Sequence, residues 1–203
     1  MPGAGANVRG LALRRRFTAI QHWSVAALFP VAIVWANQSL QLTVPLWLGL
    51  VGLPLILLGR KEWIRANQAD QGAAAEEDVA RMLKKLPRNW RVEYGLKDRR
   101  VGDIDIVVVA PDGRAWAIDV KSHAGTVICD GQTLQRQLRG RTMPFEADFL
   151  EKSRRQAKVA KELLKLRWVE PVLCFTRAQV DLKAGKVGGV YVVPASELLN
   201  LLN

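Results

Sequence analysis

The first 59 residues contain no Asp, no Glu and no Lys, and only four Arg; the remaining 144 carry all 19 acidic and 26 of the 30 basic residues. A segment so poor in charge does not belong on a water-soluble globule, so the chain must give it an apolar environment. From Phe17 to Ala36 it is apolar for 20 residues, enough to cross a hydrocarbon core of about 30 Å. A polar, uncharged stretch, Asn37-Gln38-Ser39-Leu40-Gln41, separates this from a second apolar run, Leu42 to Leu58. Arg9, Arg14, Arg15 and Arg16 precede the first run, and Arg60, Lys61 and Arg65 follow the second. Positive flanks stay in the cytoplasm, so the sequence predicts a hairpin of two transmembrane helices with its short loop outside. Trp23, Trp47 and Trp63 fall near the interfaces, and Pro30, Pro45 and Pro54 are tolerable in such helices. Arg14-Arg15-Arg16-Phe17 ahead of an apolar run also has the form of a signal peptide, even a twin-arginine one, in which case the second run would still anchor the rest; a soluble pair of hydrophobic helices is the other alternative. The expected organisation is a basic cytoplasmic N-terminus (1–16), a membrane hairpin (17–59), a linker (60–69) and a soluble domain (70–203). The expected location is the inner (cytoplasmic) membrane, multi-pass, with the lipid bilayer as partner through residues 17–59 and the soluble domain in the cytoplasm.

Cys129 and Cys174 are too few for a disulfide framework and lack metal-ligand spacing, which suits a reducing compartment. In the soluble part, Asp70 is placed to cap a helix through about Leu86, with Ala75, Val79, Met82, Leu83 and Leu86 on one face and Pro87 ending it. Strands follow at Trp90–Leu96, at Asp103–Ala110, and at Arg114–Lys121 after the turn Pro111-Asp112-Gly113; Gly125–Cys129 extends the third. Residues 130–149 are polar and read as loop. A helix over Phe149–Arg167, strands at Val172–Phe175 and Val190–Val193, and a closing helix over 195–202 complete an α/β domain of αβββαβ order.

Strand alternation puts Asp103 and Asp105 on one face with Val107 and Val109, and Asp119 on one face with Ala115, Ala117 and Lys121. Asp105 begins an apolar stretch and Asp119 sits between Ile118 and Val120, where neither serves a turn. Glu76 lies at the margin of the apolar face of the first helix. Carboxylates in such places cost desolvation unless a cation meets them. Mg²⁺ (or Mn²⁺) takes oxygen ligands and keeps its waters, so Asp105, Asp119, the Val120 carbonyl and Glu76 form a candidate metal set. Lys121, unable to ligate, is suited to stabilising charge developing on a phosphoryl group.

Three ordered segments carry a resemblance. Gly72-x-x-Ala75-Glu76-x-x-Val79, Gly102-Asp103-Ile104-Asp105-Ile106-Val107-Val108-Val109 and Ala117-Ile118-Asp119-Val120-Lys121-x-x-x-Gly125-x-Val127 resemble the nuclease-related domain, NERD, of the restriction-endonuclease-like PD-(D/E)xK superfamily. The resemblance spans about Asp70 to Phe175. It implies a restriction-endonuclease-like αβββαβ core and a divalent-metal-dependent nuclease, with Glu76, Asp105, Asp119, Lys121 and a helical glutamine, Gln156, as catalytic residues. The sequence departs from the family pattern at Ala75, Ile106, Asp119 and Ser122, where Gly, His, Glu and Asn are usual. The Pro that precedes the family glutamine is also missing at its spacing. On a helical wheel Gln156 lies among Ala157, Ala160, Leu163 and Leu164, and a buried amide must find partners.

Arg154, Lys158, Lys161 and Lys165 form a cationic stripe beside that arc, and Arg136, Arg139 and Arg141 add charge from the preceding segment. With a net charge of +7 on residues 60–203, these are candidate nucleic-acid contacts, although a solvated face or anionic headgroups would account for them equally. The expected function is a membrane-anchored nuclease hydrolysing phosphodiester bonds, with DNA as partner. The alternative is a catalytically inactive, membrane-tethered nucleic-acid-binding or scaffolding module. A homodimer stays open.

Overall fold

The computed structural model describes residues 5–40, 43–131, 133–182 and 185–203. Gln41 and Leu42, where the sequence places the start of the second membrane run, lie outside the described residues. The chain divides into a helical unit, residues 7–71, and a sheet unit made of residues 72–203 with Gly5 and Ala6.

The helical unit is an antiparallel pair. Helix α1 (Ala6–Ser39) runs 34 residues, about 51 Å at 1.5 Å per residue, through Pro30 without interruption. Helix α2 (Leu53–Leu83) returns alongside it. Small residues at seven-residue spacing make the seam. Ala12, Ala19, Ala26 and Ile33 are buried on α1, with Ala66 and Ala69 buried on α2. Such residues let helices approach closely, as they do in membrane helix pairs. Gly59 shows how closely: a Cβ there would stand 2.3 Å from the Trp23 indole nitrogen. That N–H donates to the Ile56 carbonyl at 3.3 Å, and the Trp23 and Trp63 rings lie 5.5 Å apart. Beyond the apolar stretch, Arg16 pairs with Asp70, and Arg15 donates to the Arg65 carbonyl at 3.3 Å.

The second expected membrane helix is not regular. Residues Leu46–Gly52 form a 3₁₀ helix, and α2 turns charged at Arg60 after starting only at Leu53. Pro45, Gly49, Gly52 and Pro54 crowd this stretch and weaken a continuous α-helix. Among the described residues, Val8–Ser39 is the single helix long and apolar enough to cross a membrane. Asp70 does not cap a helix either, because α2 runs through it to Leu83.

The sheet unit supplies the expected αβββαβ order. It follows from α2 after Gly72, then β1 (Arg91–Asp98), β2 (Gly102–Val109), β3 (Ala115–Asp130), α3 (Phe149–Leu163) and β6 (Glu170–Val180). The segment expected to be loop is instead a hairpin, β4 (Thr133–Leu138) and β5 (Arg141–Pro144); β7 (Lys186–Val187), β8 (Val190–Pro194) and α4 (Leu198–Leu202) close the chain. Polar residues at 133–144 hid this hairpin, since a ribbon that buries little needs no apolar alternation. Strand order is β1-β2-β3-β6-β8-β7, with β4 paired to the far half of β3. β1, β2 and β3 form an antiparallel meander, whereas β3, β6 and β8 are parallel.

Alternation decides which helix covers which face. Ile106, Val108, Trp116, Ile118 and Val120 pack against Ala75, Val79 and Leu83 of α2 and Leu198 and Leu202 of α4. Val107, Ala115 and Ala117 pack on the opposite side against Ala157 and Ala160 of α3. The result is a mixed α/β unit with helices on both faces, compatible with a nuclease-like core. Asp148 caps α3 by accepting from the Glu151 amide at 2.9 Å.

Candidate active site

The β2–β3 ladder ends at Ile106↔Ile118. One residue further on each strand stand Asp105 and Asp119. The next free amide on β3, Val120 N–H, donates instead to Asp105 Oδ2 at 2.8 Å. The carboxylate thus takes over a ladder bond, and this fixes Asp105 beside Asp119 where the strands part. Asp119 is 1% exposed, one of four buried polar or charged residues among the described ones.

Lysines answer Asp119 from two directions. Lys121 Nζ lies 2.5 Å from Asp119 Oδ2, and Lys152 Nζ donates to Asp119 Oδ1 at 3.1 Å. The Lys121 contact is an ion pair off the hydrogen-bonding direction, so Oδ2 remains buried without a hydrogen bond. Lys121 also sits 4.9 Å above the Phe149 ring. Burial works against the Lys152 charge, but Asp119 and Asp105 outweigh it and the ammonium pKa is raised. Sequence reasoning passed over Lys152. The signal was available, because Lys152 lies one helical turn before Gln156 and shares its face.

The acids repel one another. Burial, and then the charges of Asp119 and Glu76, push Asp105 up to about 8, against an ordinary 3.8. Glu76 is raised by burial; the Gly5 amide, which donates to its Oε2 at 3.0 Å, offsets part of this, and Asp103 and Asp119 add to it. Gln156, 1% exposed, donates from Nε2 to the Asp103 carbonyl at 2.9 Å. Its amide therefore secures β2 two residues before Asp105.

The predicted cations disperse. Arg154 donates to the Gly188 carbonyl at 2.8 Å and pairs with Glu151, so it holds the β7–β8 turn. Lys161 lies over Trp168 at 5.9 Å. Lys158 is exposed, and Lys165 has φ 53° just beyond the end of α3. Arg136, Arg139 and Arg141 sit on the β4–β5 hairpin, with Arg139 and Gly140 as its two-residue turn. That hairpin docks on β3 because Gly125 has no side chain: a Cβ would meet the Gln137 carbonyl oxygen at 2.5 Å. His123, next along β3, contacts Glu146 at 3.1 Å and packs among Phe145, Phe149 and Phe175; burial lowers its pKa.

The family model for the nuclease-related domain matches residues 71–176, just over half of the chain, and encloses every one of these acids and lysines. The chain belongs to the nuclease-related domain family. No curated protein and no solved structure matches it. Membership carries a nuclease-related function, nucleic acid as the general class of substrate, and use of a divalent metal as the general habit of the family.

The residues were tested against that metal. Among the described residues, no three His, Cys, Asp or Glu side chains gather closely enough to hold an ion by themselves. Mg²⁺ needs less, one or two carboxylates with water and substrate oxygens completing its shell. Asp105 and Asp119 supply hard oxygens only, repel each other, and include one buried oxygen without a hydrogen bond. This donor chemistry fits a divalent cation.

Proposed function

We propose that the protein is a membrane-anchored, Mg²⁺- or Mn²⁺-dependent nuclease that hydrolyses phosphodiester bonds of DNA at the cytoplasmic face. The observation that carries the reading is the Asp105–Asp119 pair, buried beside Lys121 at the point where the β2–β3 ladder opens. Two neighbouring acids set into an apolar sheet, one with its carboxyl pKa raised by burial and then by the other acids, are more typical of catalytic sites than of structural ion pairs.

Asp105 and Asp119 would hold the ion, with Glu76 and the Val120 carbonyl as further oxygens of the set. When bound, the ion supplies Lewis-acid activation of the phosphodiester. Lys121 moves from Asp119 to a non-bridging oxygen as charge builds on phosphorus, an electrostatic role that a low-dielectric setting strengthens. Gln156 keeps Asp105 in register through the Asp103 carbonyl. Lys158, Lys161, Lys165, Arg136, Arg139 and Arg141 hold the polyanion backbone.

The anchor is α1, returned by the apolar stretch before Arg60. The antiparallel small-residue seam supports this topology, as do the large apolar side chains that the helical unit leaves exposed. One observation favours a second reading. Both oxygens of Asp119 already face an ammonium group, an arrangement that a non-catalytic nucleic-acid-binding module would keep as a plain structural clamp.

The test is cleavage of plasmid and single-stranded DNA by the full-length protein in detergent, with Mg²⁺, Mn²⁺ or EDTA, beside Asp119→Ala and Lys121→Ala. Metal-dependent nicking lost in both variants is the expected result. A folded wild-type protein that binds DNA without cutting it, equally in all variants, selects the clamp.

A further inference from the structure

In the sheet unit, two large apolar side chains among the described residues are exposed: Leu163, and Trp168 at 61% exposure. Trp168 is not a loose surface residue. Its indole N–H donates to Glu170 Oε1 at 3.0 Å, which fixes the ring plane. It lines a cleft of about 370 Å³ with Arg114, Trp116, Arg167, Glu170 and Tyr191. That volume lies within the roughly 300–1,000 Å³ typical of small-ligand sites.

The charges around the cleft do not balance. Its acids are spoken for: Asp112 by Arg114 at 2.7 Å, and Glu170 by Lys186 at 2.9 Å. Arg114 also lies over the Trp116 ring at 5.4 Å, and Lys186 over Tyr191 at 4.3 Å. Lys161 approaches Trp168 from α3, and Arg167 adds a fourth cation next to it in the chain. Four cations against two acids, set around an orientation-locked aromatic ring, make a surface for a flat ring on a negatively charged backbone. Aromatic platforms flanked by cations are how single-stranded nucleic acids are held without regard to sequence, since every base has a π-face.

We propose that this cleft, at the start of β3 and β6, is a base-stacking site for single-stranded nucleic acid, distinct from the Asp105–Asp119 pair. An unstacked base lies on Trp168, and the adjoining phosphates meet Arg167 and Lys161. For the polymer it names, the proposal rests on the nuclease reading. The cleft's role is to grip a frayed or single-stranded segment while the acids act elsewhere along the strand.

The experiment is fluorescence anisotropy of a labelled oligothymidylate with the full-length protein in detergent and EDTA, in parallel with a blunt duplex. Trp168→Ala weakens oligothymidylate binding about tenfold or more, the usual effect of removing a stacking aromatic. Trp168→Phe keeps binding within about twofold, and Arg167→Ala weakens it with a shallower salt dependence. Duplex binding changes little in Trp168→Ala. Unchanged oligothymidylate binding in Trp168→Ala overturns the proposal, as does an equal loss on duplex, which offers no free base. Loss of self-association with intact oligonucleotide binding overturns it too, because the cleft would then serve a second copy of the chain. The two readings fail separately. Metal-dependent cleavage with Trp168-independent binding sinks the stacking site alone, whereas Trp168-dependent binding without any cleavage sinks the nuclease alone.

Discussion

The two units solve the burial problem in opposite ways. In the helical unit the buried residues are mostly small, Ala12, Ala19, Ala26, Ala66 and Ala69 with Ile33, while Leu13, Phe17, Leu28, Trp35, Leu50 and Leu57 stay exposed. In the sheet unit the branched and aromatic residues fill three packed clusters, and charge enters the interior at one main place, around Asp119. The first arrangement makes sense in lipid, where apolar surface has no reason to hide and helices associate through close backbone approach. The second makes sense in water, where apolar burial drives folding and a buried charge needs a purpose or a partner. The two packing patterns divide where the composition changes, near residue 60.

The sharpest way to break this comparison is at the charges. Asp119→Ala or Lys121→Ala lowers metal-dependent DNA cleavage by about a hundredfold or more, since each removes an interaction made at the reacting centre. The check is plasmid nicking rates at saturating Mg²⁺. Retained cleavage in either variant would move the active centre away from Asp119.

The second effect is on stability against pH in EDTA. The Asp105 carboxyl holds its proton up to about 8 in the native protein, against an ordinary value of 3.8. Between those values folding takes up a proton, so this contribution is fully present below the lower value and is lost as pH rises through the higher one. The melting temperature of the chelated protein therefore falls from pH 5 to pH 8. Added Mg²⁺ reverses the fall, and Asp105→Asn flattens it. A melting temperature independent of pH in EDTA would show that burial and the neighbouring acids do not raise the Asp105 carboxyl.

A change in the helical seam comes next. Gly59→Leu places a side chain where Trp23 lies and should separate α1 from α2, at a cost of about 1–3 kcal/mol for overpacking. Exposed Leu57→Ala should leave detergent-solubilised stability nearly untouched. Equal effects from the two would mean that the unit packs by the rules of the sheet unit after all.

A smaller effect concerns Lys152, whose ammonium competes for the Asp119 oxygen that a cation would use. Lys152→Ala should lower the Mg²⁺ concentration for half-maximal cleavage by about threefold, the worth of a partly exposed ion pair. The smallest is at the hairpin tip. Arg139 has φ 52°, a conformation costly for a side chain and ordinary for glycine, so Arg139→Gly should raise stability by about 1 kcal/mol. The same variant should weaken DNA binding, which separates a residue kept for its charge from one kept for its turn.

The legibility of the fold varied with how local its causes are. The meander could be read because Ile106 to Val109 and Ala115 to Ile118 are apolar and the turn Pro111-Asp112-Gly113 lies between them. The β4–β5 hairpin could not, because Arg136, Gln137, Arg139 and Arg141 give no apolar alternation and its pairing depends on the bare Gly125 of another strand. Asp70 looked like a cap because the residues before it turn polar. The helix instead runs on through it to Leu83, and its carboxylate meets Arg16, 54 residues earlier.

By itself the sequence determined the break between a charge-poor and a charge-rich part, the order of the core elements, and which acids and lysine stand as candidates on the strands, because composition, periodicity and motif spacing are properties of neighbouring residues. Only the tertiary structure decided who meets whom. It gave Lys152 to Asp119, the Val120 amide to Asp105 and the Gln156 amide to the Asp103 carbonyl. It also tied Arg154 to the Gly188 carbonyl. Those pairings depend on distances between segments far apart in the chain, which packing sets and no local pattern records.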